Sequence, residues 1–519
     1  MKYRLGIDVG GTNTDAAILD EEGLVIASCK RATTEDVSSG INSAVDGVLK
    51  DSVIDPGDIV DAMLGTTHAT NAIVERKGLS TVGVIRLSAP SGYGIPPFVE
   101  WPEDILKVVT RTYKIVKGGY EYNGALISES DAQEIRKALE ELKEEGIQAL
   151  AVSCVFSPVN SQQELQVREL SREILGEDVP VTLSHEIGSI GLIERENAAI
   201  LNAAIRKLAD NAYGSFQDVL LKHGIKADLF ITQNDGTLMS IDYARRFPVL
   251  TIASGPTNSL RGAAYLSGLT DAIVVDVGGT TTDVGVLSKS FPRESSDAVE
   301  IGGIRTNFRM PDLLTIGLGG GSLVNSDKHP IQVGPESVGY RIHSEALIFG
   351  GSQLTATDIA VASSMAELGD PGKVAHLKEE LLAESRGVMK TMIEDAIDQM
   401  KVTAGDIPVV VVGGGSILIP DKLLGVSSVI KPLHFEVANA IGAAIAQVSG
   451  SVDGVYDVAG KGRDVVLEEV KQAAVKEAVS AGADPDQVDI VELEEIPLAY
   501  LPSNAVRIRV KAAGPLRKG

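Results

Sequence analysis

The stretch Ile7–Leu19, IDVGGTNTDAAIL, is written a second time as Val275–Leu287, VDVGGTTTDVGVL, and this repeat decides the fold. Eight of the thirteen positions are identical, four exchange one small or apolar residue for another, and Asn13 against Thr281 is the one polar change. Each copy reads as an apolar strand ending in Asp, a Gly-Gly turn, a Thr-x-Thr-Asp segment and a second apolar strand. Glycine in the turn allows positive φ and close approach of a ligand, and successive turn amides form an anion-binding nest. A strand-end Asp beside a phosphate suits Mg²⁺, which takes one or two carboxylates plus phosphate and water. A Gly-rich hairpin without a ligand is the plainer reading of either copy alone. Two copies favour phosphate binding, because a structural hairpin has no reason to repeat both aspartates and the threonines.

The 519 residues predict about three domains with large cores. The two cysteines, Cys29 and Cys154, have no metal-ligand spacing and read as small apolar residues of a reducing compartment. The opening MKYRLGIDVGG enters a strand directly, and no apolar run reaches membrane-spanning length. The expectation is a soluble, cytoplasmic chain with no membrane partner. A formal charge of −24 argues against nucleic acid, since no basic stripe offsets it.

Short β-branched runs alternate with amphipathic stretches throughout, which predicts an α/β fold. Strands are expected near Leu5–Val9, Ala16–Leu19, Thr81–Ile85, Ala149–Cys154 and Val179–Leu183, with a helix over Ser130–Glu145. After a long helix from Glu194 to His223 a second series runs through Leu229–Thr232, Ile273–Val277, Val284–Leu287 and Val409–Val412. APSGYGIPPFVEWP, which holds the single Trp, Trp101, reads as a loop or flap. The expected division is 1–185, 186–450 and a small αβ unit at 451–519, built from a helix over Asp464–Ser480 and a strand over Val506–Val510.

A third glycine segment, VVVVGGGSILIP (Val409–Pro420), is by itself a buried strand with a tight turn; after two phosphate hairpins it is placed to receive a nucleoside against bare backbone. No G-x-x-x-x-G-K-[ST] occurs, and GLGGGS (Gly317–Ser322) has serine where G-x-G-x-x-G needs glycine. GLGGGS reads as a further backbone nest or as a packing turn, with the nest preferred.

Two D-x-G-G-T hairpins and a later triple glycine resemble the motifs of the actin, Hsp70 and sugar-kinase superfamily. GTTHATNAIVERKG (Gly65–Gly78), ERENAAILNAAI (Glu194–Ile205), QNDGTLMS (Gln233–Ser240), ASGPTNSLRGAA (Ala253–Ala264), TIGLGGGSLV (Thr315–Val324) and VGPESVG (Val333–Gly339) narrow the resemblance to the hydantoinase/oxoprolinase family, A-type (HyuA-type) subunit. The resemblance implies two ribonuclease-H-like lobes with a nucleotide cleft between them. It also implies Mg²⁺ and ATP-driven opening of a cyclic amide such as a hydantoin, 5-oxoproline or a lactam, while some relatives carboxylate ketones instead. By motif match, Asp8 and Asp276 would hold the metal and serve catalysis. Gly10, Gly11, Thr12 and Asn13, with Gly278, Gly279, Thr280 and Thr281, would cradle phosphates. Gly413, Gly414 and Gly415 would face the adenosine.

On the substrate side the candidates are Thr66, Thr67, His68 and Asn71, with Thr67 and His68 as catalytic groups, and Glu194, Arg195 and Asn197. The competing readings are a helix cap for Thr66 or Thr67 and an ordinary helix start for the latter three. Where many members carry a Pro-Gly-Pro-Ala-Cys-Tyr-like run this chain has YRIHSEALIFGG (Tyr340–Gly351), so no cysteine role carries over. The resemblance further implies a HyuB-type second subunit and an oligomer. A small-molecule kinase and a nucleotide-gated assembly protein are the alternatives.

Overall fold

The computed structural model describes all residues except 34–36, 111, 189, 296–298, 308–309, 329, 459–461, 499–504 and 518–519. Each repeated stretch forms an antiparallel hairpin at the heart of its own sheet. In the first, β1 (Tyr3–Val9) pairs with β2 (Asn13–Leu19), which pairs with β3 (Val25–Ala32). On its other side β1 runs parallel to β4 (Ile59–Thr66). The chain then builds a separate four-stranded sheet, β6-β5-β7-β8, from β5 (Val82–Ala89), β6 (Thr112–Lys117), β7 (Ala149–Cys154) and β8 (Val181–Leu183). The Leu192–Lys222 helix leads back to β9 (Asp228–Thr232), parallel to β4, and β10 (Thr237–Ser240).

The second copy forms β11 (Ala272–Val277) and β12 (Thr282–Ser288), followed by edge strand β13 (Phe291–Pro292) and the β14–β15 hairpin (Val299–Ile301, Ile304–Thr306). Next come β16 (Leu313–Ile316), the β17–β18 ribbon (Ser322–Asn325, Gln332–Ser337), β19 (Ile407–Val412) and β20 (Val426–Ile430). The order β3-β2-β1-β4-β9 in one lobe matches β16-β12-β11-β19-β20 in the other, with two antiparallel pairings followed by two parallel ones in each. These are the two ribonuclease-H-like lobes of the expected α/β fold. Among the described residues no helix is long and apolar enough to cross a membrane.

The division at 185/186 and 450/451 does not follow the sheets. Strands β9 and β10 belong to the first sheet although they lie beyond residue 185. β21 (Gln447–Asp457) runs through 450/451, and β22 (Asp489–Pro497) and β23 (Ala505–Gly514) extend that sheet to nine strands, β22-β23-β21-β10-β9-β4-β1-β2-β3. The C-terminal segment is therefore a continuation of the first lobe, not an appended unit. An exposed β10 edge would leave a row of unpaired backbone groups, and β21 satisfies them.

Two helices form the seam between lobes. Ala438–Ala444 packs on the first sheet with Ala17 and Leu19, and Ser254–Ser267 packs on the second with Val274, Leu287 and Val410. They cross backbone to backbone: a Cβ on Gly262 would lie well under 3.0 Å from the Ala438 carbonyl, and one on Gly442 equally close to the Asn258 carbonyl. Gly6 meets the Ala440 carbonyl in the same way from β1. Gly262→Ala and Gly442→Ala should each destabilise the chain by about 3 kcal/mol or more, because rigid backbone on both sides must separate. Gly387→Ala, in the Glu379–Met400 helix with nothing within 4 Å of its added Cβ, should stabilise by roughly 0.5–1 kcal/mol. Denaturant unfolding of the three variants checks both signs.

Candidate functional site

The two hairpin turns close with one and the same bond: the Gly10 amide donates to the Asn13 carbonyl at 3.0 Å, and the Gly278 amide to the Thr281 carbonyl at 2.9 Å. The turns face each other, since a Cβ on Gly279 would sit 2.9 Å from the Thr12 methyl. Among the described residues, the amides of Gly11, Thr12, Gly279 and Thr280 donate to no backbone carbonyl. Two sets of amides without backbone partners thus lie on facing turns, close at Gly279 and Thr12 and open at Gly11.

Behind the turns sit the strand-end carboxylates. Asp8 is buried and receives one amide hydrogen bond on each oxygen, from Asn258 at 3.1 Å and Asn439 at 3.0 Å. Its register neighbour on β4 is Gly65, where a Cβ would collide with the carboxylate. Asp276 is partly buried and its register neighbour on β19 is Val412; a Cβ on the next residue, Gly413, would collide with its carboxylate. The Ser259 hydroxyl, next in sequence to Asn258, favours the charged form of Asp276. One helix therefore addresses both aspartates through adjacent residues. Neither Asn258, Ser259 nor Asn439 was expected from the sequence; ASGPTNSLRGAA was legible as a family motif, but which of its side chains reach the cleft depends on the helix crossing.

Burial pushes Asp8 up to about 6, helped by the charges of Asp15 and Asp276 and opposed by the two asparagines. Asp283 is likewise raised to about 6, by burial first, although Thr315 donates to it at 2.5 Å. Asp15 and Asp276 are also raised by burial. Four acidic groups crowd a site that disfavours their charge, which is the environment a divalent cation would relieve. No group of three His, Cys, Asp or Glu side chains among the described residues could hold a metal alone. The fit is to an ion shared with an anionic ligand: two carboxylates, open amides, and a buried Asn258 Oδ1 without a hydrogen-bond partner beside them.

The triple glycine is only partly open. The Gly413 amide donates to Phe435 and the Gly415 amide to Val277, so Gly414 is the member left to face outward, beside Lys30. GLGGGS is a packing turn and not a nest. Its Gly320 and Gly321 amides donate to the Gly278 and Gly279 carbonyls, and its Gly319 amide to Ser322 Oγ. It braces the second hairpin from beneath.

The expected substrate residues divide. Thr66 is buried and its hydroxyl accepts the amide of His68, the first residue of the His68–Glu75 helix, whose N-cap position is Thr67. Thr67 stands on the Asp8 side of the cleft: its hydroxyl bonds the Val9 carbonyl and accepts from Asn71, and its methyl and Asp8 both border Gly255. His68 instead lines a small pocket with Leu208 and Tyr213 of the long helix, and burial lowers its basicity. Arg195 and Asn197 are buried in satisfied networks, Arg195 on Ser184 and the Cys154 carbonyl, Asn197 on Trp101 and the Arg305 carbonyl. Glu194 pairs with Arg305 at 3.8 Å. These three lie roughly 12 Å or more of helix before Ile205, the first residue to share a pocket with His68. Glu196 between them is buried with Arg86 and Ser153, so the segment ties the four-stranded sheet to the long helix.

Because the folded chain binds a proton at Asp8 up to about pH 6 while the unfolded chain releases it near 3.8, stability falls as pH rises through that window and stays lower above it. Asp8→Asn removes this cost, of order 3 kcal/mol. Unfolding of the ligand-free chain at pH 5 and 7.5 should show the variant more stable than wild type, with the difference larger at pH 7.5.

Residues 4–175 match the hydantoinase/oxoprolinase N-terminal region and residues 195–365 the hydantoinase/oxoprolinase family. The chain is 28% identical to the acetophenone carboxylase gamma subunit of Aromatoleum aromaticum, over 69% of this chain and 52% of that protein. It is also 28% identical to caprolactamase subunit alpha of Pseudomonas jessenii, over 70% and 54% respectively. The chain thus spans about half the length of these curated relatives. The crystal structure of the ATP-dependent caprolactamase from Pseudomonas jessenii superposes with a TM-score of 0.75 at 18% identity, covering 99% of this chain and 89% of that one. The two lobes, their paired hairpins and the motifs around them are those of the hydantoinase/oxoprolinase family, to which this chain belongs.

Proposed function

We propose that this chain is the nucleotide-binding subunit of an enzyme that uses ATP to open a cyclic amide, acting with a HyuB-type second subunit. The observation that carries this reading is the pair of facing hairpins, each with open turn amides and a strand-end carboxylate, Asp8 buried and Asp276 partly buried. Asp8 and Asp276 would hold Mg²⁺, directly or through water, and the amides of Gly11, Thr12, Gly279 and Thr280 would take phosphate oxygens. Gly414 backs the adenosine. Bound ATP would supply the phosphoryl group that, on the amide oxygen, makes the amide carbon susceptible to water, the C–N bond breaking with the ring nitrogen leaving as the amine and phosphate being released. The protein's part is then positioning and charge neutralisation.

Thr67, beside Asp8, would orient the acceptor, with Asn71 bonded to its hydroxyl. His68, turned to the long helix, supports that segment by packing. The equal 28% identity to a ketone carboxylase subunit and to a caprolactamase subunit supports carboxylation of a ketone as the second reading.

Phosphate release from Mg²⁺-ATP, screened with hydantoin, 5-oxoproline, caprolactam and a ketone with bicarbonate, with and without a second subunit, tests both readings. Ring opening matched to phosphate release supports the amidohydrolase; carboxylated product supports the second. Asp8→Asn and Asp276→Asn should each lower the stimulated rate by roughly 10²-fold or more. Cys154→Ala should leave it within about twofold, since that thiol is buried against Gln163 at 3.4 Å and burial pushes it up, away from a reactive thiolate. A large loss in the cysteine variant would contradict its structural reading.

A further inference from the structure

The internal duplication makes the two lobes a control for each other, and one position breaks the match. Asp15 on β2 lies opposite Lys30 on β3, and its counterpart Asp283 on β12 lies opposite Thr315 on β16. The partners have the same register, yet one is a cation and the other a hydroxyl. Thr315 satisfies Asp283 with one hydrogen bond. The partly exposed Asp283 is thus met by a hydroxyl alone, whereas the fully buried Asp15 is given a cation.

Lys30 does more than neutralise Asp15. Its ammonium lies 2.6 and 2.7 Å from the two oxygens of Asp15, which is buried, while its own side chain remains 28% exposed. Its Cε passes 3.4 Å from where a Cβ on Gly414 would stand, so it crosses from the first lobe to the glycine turn of the second. Its charge also acts on Asp276. Asn439 bonds Asp8 and favours the charged form of Asp15, so one polar series runs Asn258, Asp8, Asn439, Asp15, Lys30 across the cleft floor. Asp8, Asp15, Asp276 and Asp283 all face this region, and Glu436 adds negative potential beside Asp15. An anionic ligand entering against these carboxylates meets in Lys30 a fixed cation besides any metal ion it brings, and with two ammonium bonds made to Asp15 one donor is left for it.

We propose that Lys30 binds the phosphate chain of the nucleotide, with Asp15 and Asn439 as the residues that position it. This rests on the nucleotide-binding reading of the cleft and adds to it the residue that senses the ligand's charge. Lys30 thereby gives the first hairpin a role the second lacks.

The test measures affinity of the purified full chain for adenosine, Mg²⁺-ADP and Mg²⁺-ATP by calorimetry. Because Lys30→Met alone leaves a buried carboxylate unpaired, it is made in an Asp15→Asn background and compared with Asp15→Asn, and Lys30→Arg is made in the wild-type chain. Removing the lysine should weaken ADP and ATP about 10- to 100-fold, leave adenosine within about twofold, and flatten the salt dependence; Lys30→Arg should retain most of the affinity. Equal loss for adenosine and ATP would mean a structural role, and unchanged ATP affinity would remove Lys30 from the site. Either overturns the proposal while nucleotide binding stands. If the wild-type chain binds none of the three ligands, the nucleotide reading falls and this proposal falls with it.

Discussion

The crossing of the Ser254–Ser267 and Ala438–Ala444 helices is the constraint on which the cleft depends. Gly262 and Gly442 bring the two backbones to a distance no side chain permits, and Gly6 seats the second helix on β1 equally closely. The residues next to these contacts are the ones that reach the carboxylates. Asn258, whose carbonyl Gly442 touches, donates to Asp8, and Asn439 follows Ala438, whose carbonyl Gly262 touches. Packing and function are thus set by the same few ångströms, and widening the crossing by a methyl would move the amides that hold Asp8.

Around this seam the chain accepts unfavourable electrostatics. Aspartates buried near one another resist ionisation, and the fold supplies only partial relief through asparagine amides, Ser259, Thr315 and Lys30. A stability-optimised core would not carry such a cluster. The arrangement makes sense if its deficit is filled by a positively charged ion together with its anion, so that binding energy and fold energy become coupled.

The duplicated hairpins were legible because everything they need is local: apolar alternation, a glycine turn, and an aspartate at a strand end. The two-lobed α/β fold followed from the repeat and the family motifs. The sheet membership of the C-terminal segment was not legible, since β21 pairs with β10 across two hundred residues of intervening chain, roughly, and no periodicity reports a long-range partner. Arg195 and Asn197 were site candidates through the family motif alone, with a solvated helix start as the competing reading; here Ser184, Cys154, Trp101 and Arg305 arrive from other elements and bury them. Lys30 and Asn439 were missed for the opposite reason. Each is unremarkable in its own segment and gains meaning only beside Asp15 and Asp8.

The interleaving of the first sheet has a consequence for how the polypeptide acquires its shape. The second lobe's sheet is drawn from one continuous stretch, Ala272 to Ile430, and its strands find their partners within it. The first lobe's sheet takes strands from the beginning, the middle and the end of the chain. During synthesis β4 waits for β9, and β10 waits for β21, with their backbone edges open in the interval. The lobe that is first in sequence is therefore the last to be finished, and the cleft comes into being only when Asn439 arrives on its helix.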